Sequence, residues 1–278
     1  MSCRTFGVAV LLAGYFLTVP SFATDEEEGE AIRDTTQQFR GEDSQAMQGL
    51  ARAGFFQTLQ PFALDAKAAT SADVKASLTM PSLQEGEPNK KYDIILQPGH
   101  YLRKKGSGKN LGTAGKDVTE QQLVAFITAN VATHLIDNKL NVIVVSADGY
   151  KSGLSTDIFL SIHADGSTNE CGTGPSLGYS EESSLLGMHG IAFALATSLG
   201  QTYEDFRDDN FTTNLSKYYM FKHVKVSPKG FAGLLEVGEL TCPAKEKALI
   251  ANALLIAKNL GVALKSSHEI IKEPLDSK

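Results

Sequence analysis

The chain has 278 residues, 42% of them apolar and 21% charged, the balance of a soluble globular protein. A net charge of −6 and a pI near 5.6 argue against a nucleic-acid binder, which needs a basic face. There is no Trp, so a sugar platform would have to use Tyr, Phe or polar groups.

The first elements are read as an address. Arg4 supplies a positive start, residues 6–20 an apolar core, and Ser21-Phe22-Ala23 gives small residues at the two recognition positions before a cut after Ala23. This predicts a secretory signal peptide over 1–23, too short in its apolar core for a stable span. The expected mature protein is exported and periplasmic, with no integral membrane span after signal removal. It keeps two cysteines, Cys171 and Cys242, which an oxidising compartment permits to pair.

Residues 24–90 form an acidic N-terminal segment and linker. Twelve acidic and six basic residues fall there, a charge of −6 that equals the net charge of the whole chain. Residues 32–64 suit one or two helices, and 80–90, with Pro81, Gly86 and Pro88, read as the linker. Residues 91–278 are the main domain. Strands are predicted over 92–97, 141–146, 157–163, 178–180, 218–222 and 233–240. Helices are predicted over 119–138, 183–199 and from Pro243 to about residue 264, with Thr119 placed to cap the first. The alternation implies an α/β fold: a single mostly parallel sheet with helices on both faces, preceded by a partly helical N-terminal segment.

Four side chains stand out. His100 and His163 each follow a predicted strand, at the edge where open α/β sheets bind ligands. Glu120 begins the first long helix. Glu236 sits in the otherwise apolar Leu234-Leu235-Glu236-Val237-Gly238, where a buried carboxylate needs a partner. Two imidazoles and one carboxylate suit a zinc hydrolase, whose metal keeps an open position for water. A further carboxylate off the metal can carry the proton. His100, Glu120 and His163 fit the ligands and Glu236 fits the base, although spacing alone does not fix the geometry.

The segments Ile94-Ile-Leu-Gln-Pro-Gly-His100, Glu120, Phe159-Leu-Ser-Ile-His-Ala164 and Leu234-Leu-Glu-Val-Gly238 occur in an order that resembles the zinc-dependent N-acetylmuramoyl-L-alanine amidases of the Amidase_3 type. The resemblance covers roughly residues 92–264. It implies Zn²⁺ as cofactor, His100, Glu120 and His163 as metal ligands, and Glu236 as the catalytic glutamate. It also implies a peptidoglycan or muropeptide substrate, cleaved between N-acetylmuramic acid and L-alanine, with an activator protein left unidentified. Departures are Gln97 where the family has Asp, Leu154-Ser-Thr-Asp157 in place of an Arg-x-x-x-Ala-Asn pattern, and Glu239 where the family has an aromatic residue. Glu239 is therefore a rival base, but the motif register favours Glu236.

Other histidines, His134, His189, His223 and His268, lack a motif and read as structural. Gly106-Ser-Gly-Lys109 imitates a phosphate loop, but Arg103 stands at the first glycine's place. Two alternatives compete with the amidase reading: a zinc carboxypeptidase or endopeptidase on the peptide stem, and a catalytically silent wall-binding regulator. The first calls for a basic group to hold a terminal carboxylate; a retained Glu236 argues against the second.

Overall fold

A computed structural model describes residues 59, 68–76, 79–103, 111–149, 151–169, 171–180, 183, 185–201, 207–208 and 218–273. The signal peptide predicted over 1–23 and the helices predicted over 32–64 lie outside these residues, residue 59 excepted.

Six strands form one sheet: β1 (Lys91–Pro98), β2 (Val142–Val144), β3 (Leu154–Asp165), β4 (Ser176–Tyr179), β5 (Arg207–Asp208) and β6 (Val224–Glu239), in the order β2-β1-β3-β6-β4-β5. β2, β1, β3 and β6 run parallel; β4 is antiparallel to β6 and parallel to β5. The sheet is thus mostly parallel, as expected. The central strands are near-continuous apolar runs because both of their faces are covered: Ile94, Ile95, Leu96, Ile158, Phe159, Leu160 and Leu235 have no exposed surface.

After the short α1 (Ser71–Lys75), three long helices follow: α2 (Glu120–Asp137), α3 (Leu185–Leu199) and α4 (Pro243–Lys272). α4 packs between α2 and α3, so all three share one face of the sheet. The other face carries a 3-10 helix, Tyr219–Lys222, over a core of Tyr92, Ile95, Ile143, Phe159, Met220 and Ala232. This stretch was expected to be a strand. Its aromatic run has strand composition, but Tyr218 and Tyr219 are held by side-chain bonds to Gln97 Oε1 and Ala147 O instead of a ladder. Helix α4 also runs eight residues beyond its expected end and is long and apolar enough to cross a membrane. Here it is a core helix, with Leu249, Ala253, Ile256, Leu260 and Leu264 buried.

The described part of 68–90 packs on this unit. Val144 N–H donates to Ser82 O at 3.0 Å, Gln84 N–H to Val144 O at 2.9 Å, and Ala69 N–H to Ala251 O at 3.2 Å. Gly86, with φ 80°, lies so close to Leu154 that a Cβ would sit 2.6 Å from its Cδ2. The Pro/Gly-rich stretch therefore lines the β2 edge of the sheet.

Candidate metal centre and active site

The site forms where β1, β3 and β6 end and α2 begins. Pro98 closes β1, Gly99 N–H donates to Ile162 O at 2.8 Å, and His100 turns with φ 57°. Gly99 is required by close approach: a Cβ there would lie 2.5 Å from His163 Nδ1. Thr119 caps α2 in a capping box with Gln122, which sets Glu120 as the first helical residue. A carboxylate is favoured there by the helix dipole.

These elements bring the three expected ligands together. One ligand atom from each of His100, Glu120 and His163 lies within 4.8 Å of the others. Glu120 Oε1 is 2.8 Å from His163 Nδ1 and 3.4 Å from His100 Nε2. The imidazole rings are 5.4 Å apart at 78°. Ligand bonds of ~2.0–2.1 Å in a tetrahedron place donor atoms roughly 3.3 Å from one another, so the cluster has the scale of a zinc site. Thr113 N–H donates to Glu120 Oε2 at 2.9 Å and fixes the carboxylate. Buried His163 Nε2, the ring nitrogen opposite the one that meets Glu120, has no hydrogen-bond partner among the described residues.

Burial would raise the Glu120 pKa. The hydrogen bond and charge of His163, the charge of His100 and the Thr113 N–H outweigh it, and the carboxyl sits below its ordinary value. Glu236 is the opposite case. It pairs with His163 in the β3–β6 register, and its buried Oε2 lacks a hydrogen-bond partner among the described residues. Burial, then the charges of Glu120 and Asp165, push it well above its ordinary value. Two carboxyls of one site are driven apart in acidity, the pattern that separates an anionic ligand from a proton carrier.

Glu239, the rival base, is engaged elsewhere. It accepts from Cys171 N–H at 2.9 Å, Thr173 N–H at 2.9 Å and Thr241 Oγ1 at 2.7 Å, with Lys245 Nζ at 3.2 Å. Burial opposes ionisation, but these donors and the Lys245 charge leave its pKa lowered. It holds the loop whose Cys171 is bonded to Cys242, the two Cα atoms 4.7 Å apart. The disulfide permitted by the sequence is formed.

Several contributors carried no sequence signal. Gly112, with φ 72°, backs the ligands: a Cβ there would meet Glu120 Oε2 at 2.1 Å and His100 Cδ2 at 2.8 Å. Gln97 accepts from Tyr218 OH at 2.7 Å and donates to Ser146 O at 3.3 Å. Tyr218 thereby stands edge-on to His163, ring centroids 5.9 Å apart.

A second group, Asp93, Asp157 and His268, also lies within ligand range, at the opposite end of the strands. The Lys91 and Lys272 ammoniums are 2.8 and 2.9 Å from the Asp157 carboxylate. This is an ion-pair cluster that ties the end of α4 to β1 and β3. His223 Nδ1 lies 2.8 Å from Ser152 Oγ, away from the ligands.

No family model and no curated protein matches the chain. Among solved structures, it is similar to the N-acetylmuramoyl-L-alanine amidase AmiC2 of Nostoc punctiforme, with 16% identity, TM-score 0.47, and coverage of 63% of this chain and 95% of that one. It is also similar to the catalytic domain of the N-acetylmuramoyl-L-alanine amidase CwlV from Bacillus (Paenibacillus) polymyxa var. colistinus, with 19% identity, TM-score 0.49, and coverage of 64% and 99%. A third is the N-acetylmuramoyl-L-alanine amidase from Clostridium difficile 630, with 19% identity, TM-score 0.46, and coverage of 63% and 96%.

Proposed function

We propose that the chain is a zinc-dependent peptidoglycan amidase that cleaves the bond between N-acetylmuramic acid and the L-alanine of the stem peptide. The observation that carries this reading is convergence. His100, Glu120 and His163 come from separate segments and meet within 4.8 Å, with Glu236 paired to His163 on the neighbouring strand. The same four residues lie in the motifs that resemble the amidase family. The scale of the cluster and its mixed nitrogen and oxygen donors fit Zn²⁺.

When bound, zinc supplies a Lewis acid for the scissile carbonyl and lowers the pKa of water from 15.7 to about 7. The residues supply the rest. Glu120 and the two histidines fix the centre, with Thr113 N–H holding Glu120 in place. Glu236 in its ionised form takes the proton of the attacking water. It then gives that proton to the departing amine of L-alanine, so that water is added across one amide bond. Burial first, and then the charges of Glu120 and Asp165, raise the Glu236 pKa; a dication beside Glu120 would offset the second of these causes and favour the ionised form.

The expected location is the periplasm after export, and the expected substrate is peptidoglycan or soluble muropeptides. The test is mass analysis of products from purified cell wall. An amidase releases intact stem peptides with a free L-alanine amine, and Glu236→Gln should lower turnover on the order of 10² to 10⁴-fold while zinc is retained. Shortened stems still attached to muramic acid would instead identify a carboxypeptidase or endopeptidase. Wall binding without any cleavage would identify a silent regulator.

A further inference from the structure

The outer nitrogen of His100 meets the wrong kind of group for a metal ligand. Nε2 is the nitrogen turned toward the cluster, 3.4 Å from Glu120 Oε1. Nδ1 lies 3.3 Å from Arg103 Nη1. A guanidinium offers five N–H donors and no acceptor. A neutral imidazole that gives its Nε2 lone pair to a metal must carry its proton on Nδ1. That proton would point at another donor. Metal-holding histidines ordinarily meet the reverse, a carboxylate or carbonyl that accepts the second N–H and fixes the ring. The contact as it stands suits a ring protonated on Nε2, with Arg103 donating to Nδ1.

Arg103 has a second partner within reach. Its Nε is 3.8 Å from Asp148 Oδ1, at the outer edge of an ion pair. The backbone keeps these groups together: Ala147 N–H donates to Tyr101 O at 2.9 Å, and Arg103 N–H to His100 O at 3.2 Å. The Arg103 side chain is only 18% exposed, so a small displacement leads to Asp148 sooner than to open water. Arginine does not lose its proton in proteins. Movement is therefore the available way to relieve a donor–donor contact.

We propose that Arg103 is a positioning residue coupled to metal occupancy, bonded to His100 Nδ1 in the metal-free chain and shifted onto Asp148 when His100 holds the metal. This rests on the zinc reading above. Its consequence is a brake on affinity, since loading must break the Arg103–His100 contact. Arg103→Gln replaces the donor with a group whose amide oxygen can accept Nδ1–H.

The test is Zn²⁺ affinity of the metal-stripped mature chain, measured by competition with a chromophoric chelator. Outer partners of ligating histidines are worth roughly 10–100-fold in affinity, so Arg103→Gln should bind zinc about 10-fold tighter or more. Asp148→Asn should bind more weakly than wild type, because the displaced guanidinium loses its carboxylate. A merely structural Arg103 would move affinity the other way on Arg103→Gln. In the wild type, the Arg103 Nε–H resonance should shift as zinc is added. A wild type that binds one zinc while Arg103→Gln binds no tighter overturns this inference alone. Should that variant fail to fold, an Arg103 resonance that zinc leaves unmoved overturns it equally. A wild type that takes up no zinc overturns the metal reading and this inference with it.

Discussion

Glu236 lies opposite His163 in the parallel ladder of β3 and β6, and the next paired positions are Asp165 and Glu239. Two steps along β3 thus correspond to three along β6. The extra residue falls where Gly238 takes φ 148°. Such a bulge re-aims the side chains on either side of it. Glu236 stays beside the ligands, while Glu239 turns to the backbone N–H groups of Cys171 and Thr173.

The acidity of Glu236 has a consequence for stability. Its folded pKa is raised, so folding favours the protonated form. The metal-free chain should therefore lose stability as pH rises above about 4.5, and should go on losing it up to the folded pKa. The loss is about 1.4 kcal/mol per pH unit over that window. Glu236→Gln removes this dependence, so without metal at pH 8 the variant should be more thermostable than the wild type. Melting of both metal-stripped proteins at pH 5 and pH 8 checks it; identical pH dependence would show that Glu236 is not buried as an acid.

Gly99 and Gly112 leave room that the ligands occupy. Gly99→Ala would press on the His163 ring and Gly112→Ala on the Glu120 carboxylate, the latter at a positive φ as well. Each variant should weaken zinc binding by roughly 10–100-fold, comparable to losing an outer partner of a ligand. Far-ultraviolet circular dichroism should remain that of the wild type. Unchanged zinc affinity in both would mean the ligands do not need this packing.

Asp157 anchors the end of α4. Burial would raise its pKa, but Lys91, Lys272 and Ser227 outweigh burial and lower it below its usual 3.8. Its contribution is present above pH 3.8 and lost as pH falls through the lower folded value. Asp157→Asn should cost between ~1 kcal/mol, the value of an exposed pair, and ~3 kcal/mol, that of a buried one, because both lysines are about half exposed. Denaturant midpoints at pH 7 and pH 3 decide: a loss as large at pH 3 would exclude the ion pairs as its source.

The acidic segment 24–90 should be divisible. Removing 24–67 should leave zinc and turnover on soluble muropeptides unchanged, since each proposed ligand and the base lie after residue 91. Removing 24–90 also strips two backbone hydrogen bonds from Val144. At about 1 kcal/mol each, that should lower the melting temperature by roughly 4–8 °C. Equal melting temperatures for the two truncations would show that the 68–90 stretch adds nothing to stability.

The parts of the site that the sequence determined are those encoded locally. A β-branched apolar run ending in Pro98-Gly99-His100 is a strand and a turn wherever it is placed, and so is the run ending in His163. Thr119 followed by Gln122 caps a helix from within four residues, and this sets Glu120 at its first turn. An acid in an apolar strand needs a partner, which marked Glu236. Tertiary structure alone decided the rest, because the deciding atoms lie far apart in the chain. Tyr218 to Lys222 has strand composition and becomes a 3-10 helix because its first two tyrosines bond to Gln97 and Ala147. The sequence left Glu239 as a rival to Glu236, and a bulge and the loop of Cys171 turn the two carboxylates to different partners. Arg103 is unmarked in sequence and meets His100 only because the turn after β1 folds back on itself with φ 57° at His100 and φ 53° at Leu102. Local periodicity carries the strand and the cap; which donor faces which acceptor across the sheet edge is set by the packing of segments that share no sequence neighbourhood.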